Sequence, residues 1–343
     1  MLDLLTRLHP GGSTLGTWQQ LFDSNQIGNV EMARTVQFSE YGGTDVLAAV
    51  DAPALTAGPG QVRIEVRAAG INPIDWKIMR GFMREMIPLT LPAGLGSDVA
   101  GVVDQVGTGV TEFQVGDEVM GRSLTPAISE SALADPASLI AKPADIGWDV
   151  AGSVAGAGGT AWAVLDQLGI KAGETLLVHA AAGGVGTFAV QLAVARGARV
   201  IGTASERNFE YLRSIGAEPV SYGDGLLERV RAVAPDGVDA VLDASGRGEI
   251  PLSIELAGGP DRVLTLVAFD AADTGIQVFV GATEDDWGPA LREIVSFLEQ
   301  GGSPSPSGGP FLWQRPQQRS MPAVPGTSTE RSSSCRNPDV GHP

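Results

Sequence analysis

The stretch LLVHAAAGGVGTFAVQLAVARGARVIGTASERN, residues 176–208, constrains the fold more than any other. A short apolar run, a glycine turn, a helical period and a second apolar run follow one another without a break. That order describes a strand, a tight turn, a helix and a parallel strand. Glycines at 183, 184 and 186 let the backbone approach a ligand, and the helix N-terminus behind them offers free N–H groups and a positive dipole end to a pyrophosphate. Val185 lies within the same turn. The G-x-G-x-x-G spelling is absent, so the unit rests on its context.

The pattern continues to about residue 300. NFEYLRSIG, LLERVRAVA and WGPALREIVSFLEQG have helical spacing, whereas EPVSY, AVLDAS, RVLTLVA and IQVFVG read as strands. This alternation predicts an α/β domain over 156–300, a doubly wound Rossmann sheet covered on both faces. Residues 32–155 differ. VRIEVRAAGI, DVAGVVDQVGTGV and GDEVMGR are short β-like runs punctuated by Gly and Asp, which predicts a mostly antiparallel β domain. Residues 1–31 have no clear period and read as a non-native leader before Met32, or as an N-terminal arm. In residues 301–343, Pro, Gly and Ser make up 22 of 43, too little apolar material to offset ordering entropy, so this segment reads as disordered.

A net charge of −17 argues against nucleic acid or an anionic membrane as partner. No apolar run is long enough to span a bilayer, no signal-peptide pattern opens the chain, and one cysteine excludes a disulfide framework, so the cytoplasm is the expected compartment.

The second strand of the glycine unit bears on cofactor choice. A site for NAD usually ends that strand in a carboxylate that accepts from the ribose hydroxyls. Here it ends TASERN. Ser205, Arg207 and Asn208 supply donors and a fixed positive charge suited to a 2′-phosphate, with Tyr222 near the next strand end as a further hydroxyl. Glu206 should alternate away from them. NADP(H) is the expected cofactor, although Arg207 also fits a plain surface charge. Ser245 and Gly246, after AVLDAS, should line the crevice at the strands' carboxyl ends, and Ala268 and Phe269 should follow from the next strand.

Several ordered motifs carry a resemblance: YGGTDVL, AAGINPIDWKIMRG, LPAGLGSDVAGVVDQVGTGV, FQVGDEVMG, GTAWAVL, HAAAGGVG and TASERNFEYLRSIGAEPVSY. From about Met32 to about Gly301 the chain resembles the zinc-independent quinone oxidoreductases, the zeta-crystallin-like branch of the medium-chain dehydrogenase/reductase superfamily. Ala180, Gly183, Val185 and Gly186 match that family's A-x-x-G-x-V-G. The resemblance implies a GroES-like catalytic domain joined to the Rossmann domain, and a homodimer if the C-terminus is intact. Zinc relatives carry a Cys and a His where this chain has Asn72 and Ser97, and His9, His179 and His342 have no ligand spacing, so no metal is expected; His179 reads as a packed core residue.

Without a metal to polarise an alcohol, hydride transfer to an activated acceptor, a quinone or an α,β-unsaturated carbonyl, is the better fit. Two alternatives are an enoyl reductase for carrier-bound acyl chains and a catalytically dead NADPH-binding protein. The resemblance places Asn72 near the nicotinamide, holding its carboxamide or a substrate oxygen, and Thr160 at the same end. Lys77 would stabilise a developing oxyanion or relay a proton, or is a surface lysine; Asp75 reads as a turn carboxylate. The family's closing strand, helix and G-H-V-x-G-K strand are missing. Read one base out of step, the tail's codons are compatible with such an ending, with a stop across Arg336 and Asn337, so a frameshift from about residue 302 is the expectation.

Overall fold

The computed structural model describes residues 31–281, 284–299 and 311–312. Strand β1 (Met32–Phe38) pairs antiparallel with β2 (Leu47–Pro53). Then come β3 (Val62–Gly70), helix α1 (Pro73–Met79), β4 (Ala93–Gly94), β5 (Asp98–Val106), β6 (Glu118–Arg122), β7 (Ser131–Ala134) and β8 (Leu139–Ala141). Alternate residues of β3 face inward: Val62, Ile64 and Val66 are buried between partly exposed Arg63 and Glu65. With Phe38, Val99, Val103, Val119 and Ile128 they form the core of an antiparallel domain.

Helix α2 (Trp148–Leu168) follows, then β9 (Thr175–His179), α3 (Gly184–Ala195), β10 (Arg199–Ala204), α4 (Phe209–Ser214), β11 (Ala217–Ser221), α5 (Leu226–Val233), β12 (Ala240–Asp243), α6 (Ile250–Ala257), β13 (Val263–Thr265), β14 (Gln277–Val278), α7 (Glu284–Glu299) and β15 (Phe311–Leu312). Strands β9 to β14 make one parallel sheet in the order β11-β10-β9-β12-β13-β14. Along β9, Leu176 and Val178 enter one apolar cluster with α2 and α3, and Leu177 enters another with α5 and α6. Both faces are therefore covered, as a parallel sheet requires. The strand order reverses between β9 and β12, which puts the expected ligand crevice at the carboxyl ends there.

Two features depart from the sequence reading. The 21-residue helix α2 runs through position 155, where the sequence suggests a boundary, and packs on β3, β5 and β6 as well as on α3 and α7. Its apolar cluster reaches Ala100 and Met120 of the antiparallel sheet, so one core joins the two sheets. Second, the tail was expected to hold no element, yet Phe311–Leu312 pair antiparallel with Ala69 and Ala68 of β3. The other edge position along β3, Val62–Glu65, is taken by β7, which leaves Ala68–Ala69 open to it. Residues 1–30, within the segment expected to be a leader, and nearly all of 301–343, expected to be frameshifted, lie outside the described residues.

Candidate active site

The glycine turn begins at the end of β9. Ala180 holds a left-handed φ of 54°, uncommon for a residue with a Cβ, and its carbonyl accepts from Gly183 N at 2.9 Å. Buried His179 fixes this turn from below. Ser253 Oγ donates to the Glu249 carbonyl at 2.7 Å, so it accepts from His179 Nε2 at 3.0 Å. Nδ1 is then the acceptor for Thr203 Oγ1 at 3.4 Å, and that oxygen accepts from Ala180 N at 3.1 Å. Burial pushes the imidazole pKa down, against the opposing pull of Glu249 and Asp243, so the ring is a neutral bracket between β9, β10 and α6. This agrees with a packed core histidine.

The glycines of the turn do different work. A Cβ on Gly186 would strike the Ala180 carbonyl and lie 2.8 Å from Ala181 Cα. Gly186 therefore lets α3 close onto the turn, a packing role that stands beside the ligand approach expected for it. A Cβ on Gly184 would meet only Ala157 Cβ, at 3.7 Å, so this position opens outward beside α2. Gly183 is the extended N-cap of α3, and the first N–H groups of the helix lie immediately behind it.

Helix α2 connects this turn to the antiparallel domain. Gly156, Ala157 and Thr160 are partly exposed on a helix whose other residues from 151 to 165 are largely buried. A Cβ on Gly156 would lie 2.5 Å from Asp98 Oδ2 and 2.8 Å from Asn72 Nδ2. One face of α2 thus meets both the glycine turn, at Ala157, and the Asn72 corner, at Gly156, with Thr160 one helical turn beyond.

Asn72 is the N-cap of α1, and its N–H donates to Asp75 Oδ2 at 2.7 Å. Its Nδ2 donates to Asp98 Oδ2 at 2.9 Å, which also accepts from Gly156 N at 2.9 Å. Asp98 is buried, and its Oδ1 has no hydrogen-bond partner among the described residues. Burial pushes its carboxyl pKa up; Asn72, the Arg122 charge and Gly156 N–H pull it back. Asp75, buried beside it and accepting from Gly96 N at 3.3 Å, is raised to about 6, chiefly by burial. Ser97 Oγ accepts from Arg122 Nη2 at 3.2 Å, and that guanidinium stacks on Trp287 at 4.1 Å. At the two positions where zinc relatives place ligands, this chain therefore has an amide committed to Asp98 and a hydroxyl beside a guanidinium. Neither is a zinc donor, and Arg122 would repel a cation. The described residues hold no group of three or more His, Cys, Asp or Glu arranged to hold a metal.

Lys77 is not brought to Asn72. It lies across α1 from buried Asp75 and Met79, with Nζ 5.9 Å from the Trp76 ring centre. At the carboxyl ends of the parallel strands, Asn208 Nδ2 donates to Ser205 Oγ at 3.3 Å, and exposed Arg207 has no partner among the described residues. Tyr222, expected to offer its hydroxyl, also carries the Arg247 guanidinium 4.7 Å from its ring centre, an exposed cation–π contact of the kind worth about 0.5–1 kcal/mol. Buried Asp243 ends β12: Oδ1 accepts from Ser245 N at 2.9 Å and Gly246 N at 3.1 Å, and Oδ2 accepts from Thr265 Oγ1 at 2.8 Å. Thr265 Oγ1 in turn accepts from Ala268 N at 3.0 Å. Ser245 Oγ and the N–H groups of Ser245, Gly246 and Arg247 are taken up by Asp243 and Glu249, so what this loop can offer a ligand is its carbonyl groups and its surface. Phe269, 44% exposed, opens the next turn. The sequence reading assigned no role to Asp98 or Asp243, although GSDVAG and AVLDAS contain them; a carboxylate that organises a loop has no spacing signature.

Comparison with known proteins gives the same architecture. Residues 58–136 match the alcohol dehydrogenase GroES-like domain, and 184–287 match the domain described as zinc-binding dehydrogenase. The chain is 42% identical over 231 residues to a quinone oxidoreductase of Pseudomonas aeruginosa, covering 65% of this chain and 70% of that one. It is 35% identical over 200 residues to a chloroplast envelope quinone oxidoreductase homolog of Arabidopsis thaliana, covering 55% and 61%. Among solved structures, Escherichia coli quinone oxidoreductase complexed with NADPH superimposes with a TM-score of 0.68 at 28% identity, covering 78% and 88%. The CurK enoyl reductase does so at 0.72 and 27%, covering 80% and 90%. With both domain models matched and a quinone oxidoreductase 42% identical over 70% of its length, the chain belongs to the quinone oxidoreductase family of the medium-chain dehydrogenase/reductase superfamily.

Proposed function

We propose that this chain is an NADP(H)-dependent oxidoreductase that delivers hydride to a quinone or an α,β-unsaturated carbonyl without a metal. The observation that supports the reading is that one face of α2 meets both the glycine turn and the Asn72–Asp98 corner, which would set a phosphate-binding end and a reacting end along one helix. The bound dinucleotide supplies the hydride. The protein's part is to bind and orient it. Gly183, Gly184 and Val185 set N–H groups of α3 toward the pyrophosphate. Ser205, Arg207 and Asn208 receive the 2′-phosphate, and no carboxylate ends β10 at Ala204 to favour an unphosphorylated ribose. The loops at Ser245 and at Ala268–Phe269, braced by Asp243 and Thr265, wall the crevice. Thr160 and Asn72 hold the nicotinamide end, Asn72 being fixed by Asp98. Lys77, on the far face of α1, would pass a proton to the reduced acceptor only through water. A metal-free reaction is supported by the donors at residues 72 and 97.

The test is oxidation of NADPH by the full chain with a simple quinone and a simple enone, repeated with NADH and after treatment with a strong chelator. Turnover that favours NADPH and survives chelation is expected. Binding of NADPH without turnover would leave a non-catalytic binding protein, and activity lost to the chelator and restored by zinc would overturn the metal-free step. The likeness to an enoyl reductase favours a second reading, reduction of carrier-bound acyl chains. A carrier-linked enone turned over far faster than its free thioester would establish it.

A further inference from the structure

Among the described residues, four arginines of the parallel-sheet domain are ion-paired and five, Arg213 on α4 and Arg292 on α7 among them, are not. The paired four stand toward the strands' amino ends: Arg199 with Glu218 at 2.5 Å, Arg262 with Glu174 at 2.6 Å, Arg231 with Glu255 at 2.6 Å and Arg196 with Glu293 at 3.2 Å. Those at the carboxyl ends, Arg207, Arg229 and Arg247, have no carboxylate partner among the described residues; on helix α4, Arg213 lies over Phe209. Glu206, Asp224 and Glu249 stand at the same edge without forming an ion pair to these guanidinium groups, so the cations stay available to an anionic ligand.

The three are not equivalent. Arg229 is spent on carbonyls of Ser221, Tyr222, Gly223 and Asp224, which fixes the loop after β11. Arg207 stands on the short turn after β10. Arg247 rises from the braced loop after β12, where its own N–H donates to Glu249 Oε2 at 3.0 Å, and its guanidinium rests on Tyr222. In the sheet, β11 and β12 flank β10 and β9, so this contact bridges over β10 and over β9, the strand that ends in the glycine turn. Stacking on a ring uses the face of a guanidinium and leaves its edge N–H groups free for a phosphate, in a fork that matches two oxygens. The ring contact is weak and exposed, so moving the guanidinium onto an anion costs little.

We propose that Arg247, carried on Tyr222, is a specificity-determining residue that binds the adenosine 2′-phosphate opposite Arg207. This rests on the reading of the chain as an NADP(H) enzyme. The test uses the full chain with Arg247→Gln, Arg247→Lys and Arg207→Gln, and titrates NADPH, NADH and the probe 2′,5′-ADP. Arg247 is exposed and enters no core contact, so its variants should fold as the parent does. Arg247→Gln should weaken NADPH and 2′,5′-ADP by about ten- to a hundredfold, the range for a lost charge-assisted hydrogen bond, and leave NADH within about twofold. Arg247→Lys should recover part of the loss. An unchanged NADPH-to-NADH ratio in Arg247→Gln, with the ratio collapsed in Arg207→Gln, would overturn the inference and keep NADP(H). Equal weakening of both cofactors would also overturn it. A parent chain with no preference for NADPH would overturn the underlying reading and the inference together.

Discussion

Replacing Gly156 with Ala sets helix propensity against packing. Gly156 lies inside α2 with helical backbone, and Ala is favoured over Gly in a helix interior by about 1 kcal/mol. Its new methyl would nevertheless stand 2.5 Å and 2.9 Å from the two oxygens of Asp98 and 2.8 Å from Asn72 Nδ2. Those neighbours are a buried carboxylate and its donor, with no flexible end to give way. Overpacking of this kind costs about 1–3 kcal/mol. Displacing Asp98 also weakens at least one hydrogen bond to a charged group, about 1.5–3 kcal/mol. Set against the propensity gain, Gly156→Ala should destabilise the chain by about 2–5 kcal/mol, a large part of an ordinary stability margin. Equilibrium urea unfolding measures that difference, and kcat/KM for NADPH oxidation reports on the Asn72 amide in the fraction that remains folded. Both should fall. A variant stabilised by about 1 kcal/mol with unchanged kcat/KM would show that propensity alone governs position 156 and that the Asn72–Asp98–Gly156 contact is not close-packed.

Gly184→Ala should do the reverse, because its methyl meets only Ala157 at 3.7 Å: unfolding within about 0.5 kcal/mol of the parent, with NADPH binding weakened about tenfold where the methyl crowds the pyrophosphate, both read by titration and urea unfolding. Asp75 gives a pH signature. Its carboxyl is raised from 3.8 to about 6 in the folded chain, so the folded state holds the proton more tightly, and the stability this group confers at low pH is lost as pH rises through about 6, to the extent of about 3 kcal/mol. Asp75→Asn should therefore gain on the parent between about pH 4 and about pH 7 in unfolding titrations, and a difference that stays flat across that window would contradict the assignment.

The sequence by itself determined the two-domain architecture, the parallel sheet and the glycine turn. These are local in origin: LLVHAA, GTFAVQLAVARG and RVIGTA each carry their own period, and the strand–glycine–helix order leaves few ways to bury them. It also placed Asn72 and Ser97 where relatives carry zinc ligands, and His179 in the core. Only the tertiary structure decided helix α2. WDVAGSVAGAGGTAWAVLDQL contains four glycines at 152, 156, 158 and 159, each unfavourable to a helix by about 1 kcal/mol. Every one is explained by a neighbour from elsewhere in the chain. Gly152 clears Ala68, Gly156 clears Asp98 and Asn72, Gly158 clears Ile294, and Gly159 clears Trp287. The same holds for the packing of Gly186, the loop-organising bonds of Asp98 and Asp243, and the stacking of Arg247 on Tyr222. Local spacing reports the propensity of a segment; it carries no signal for close approach, or for a charge left without a partner, between residues distant along the chain.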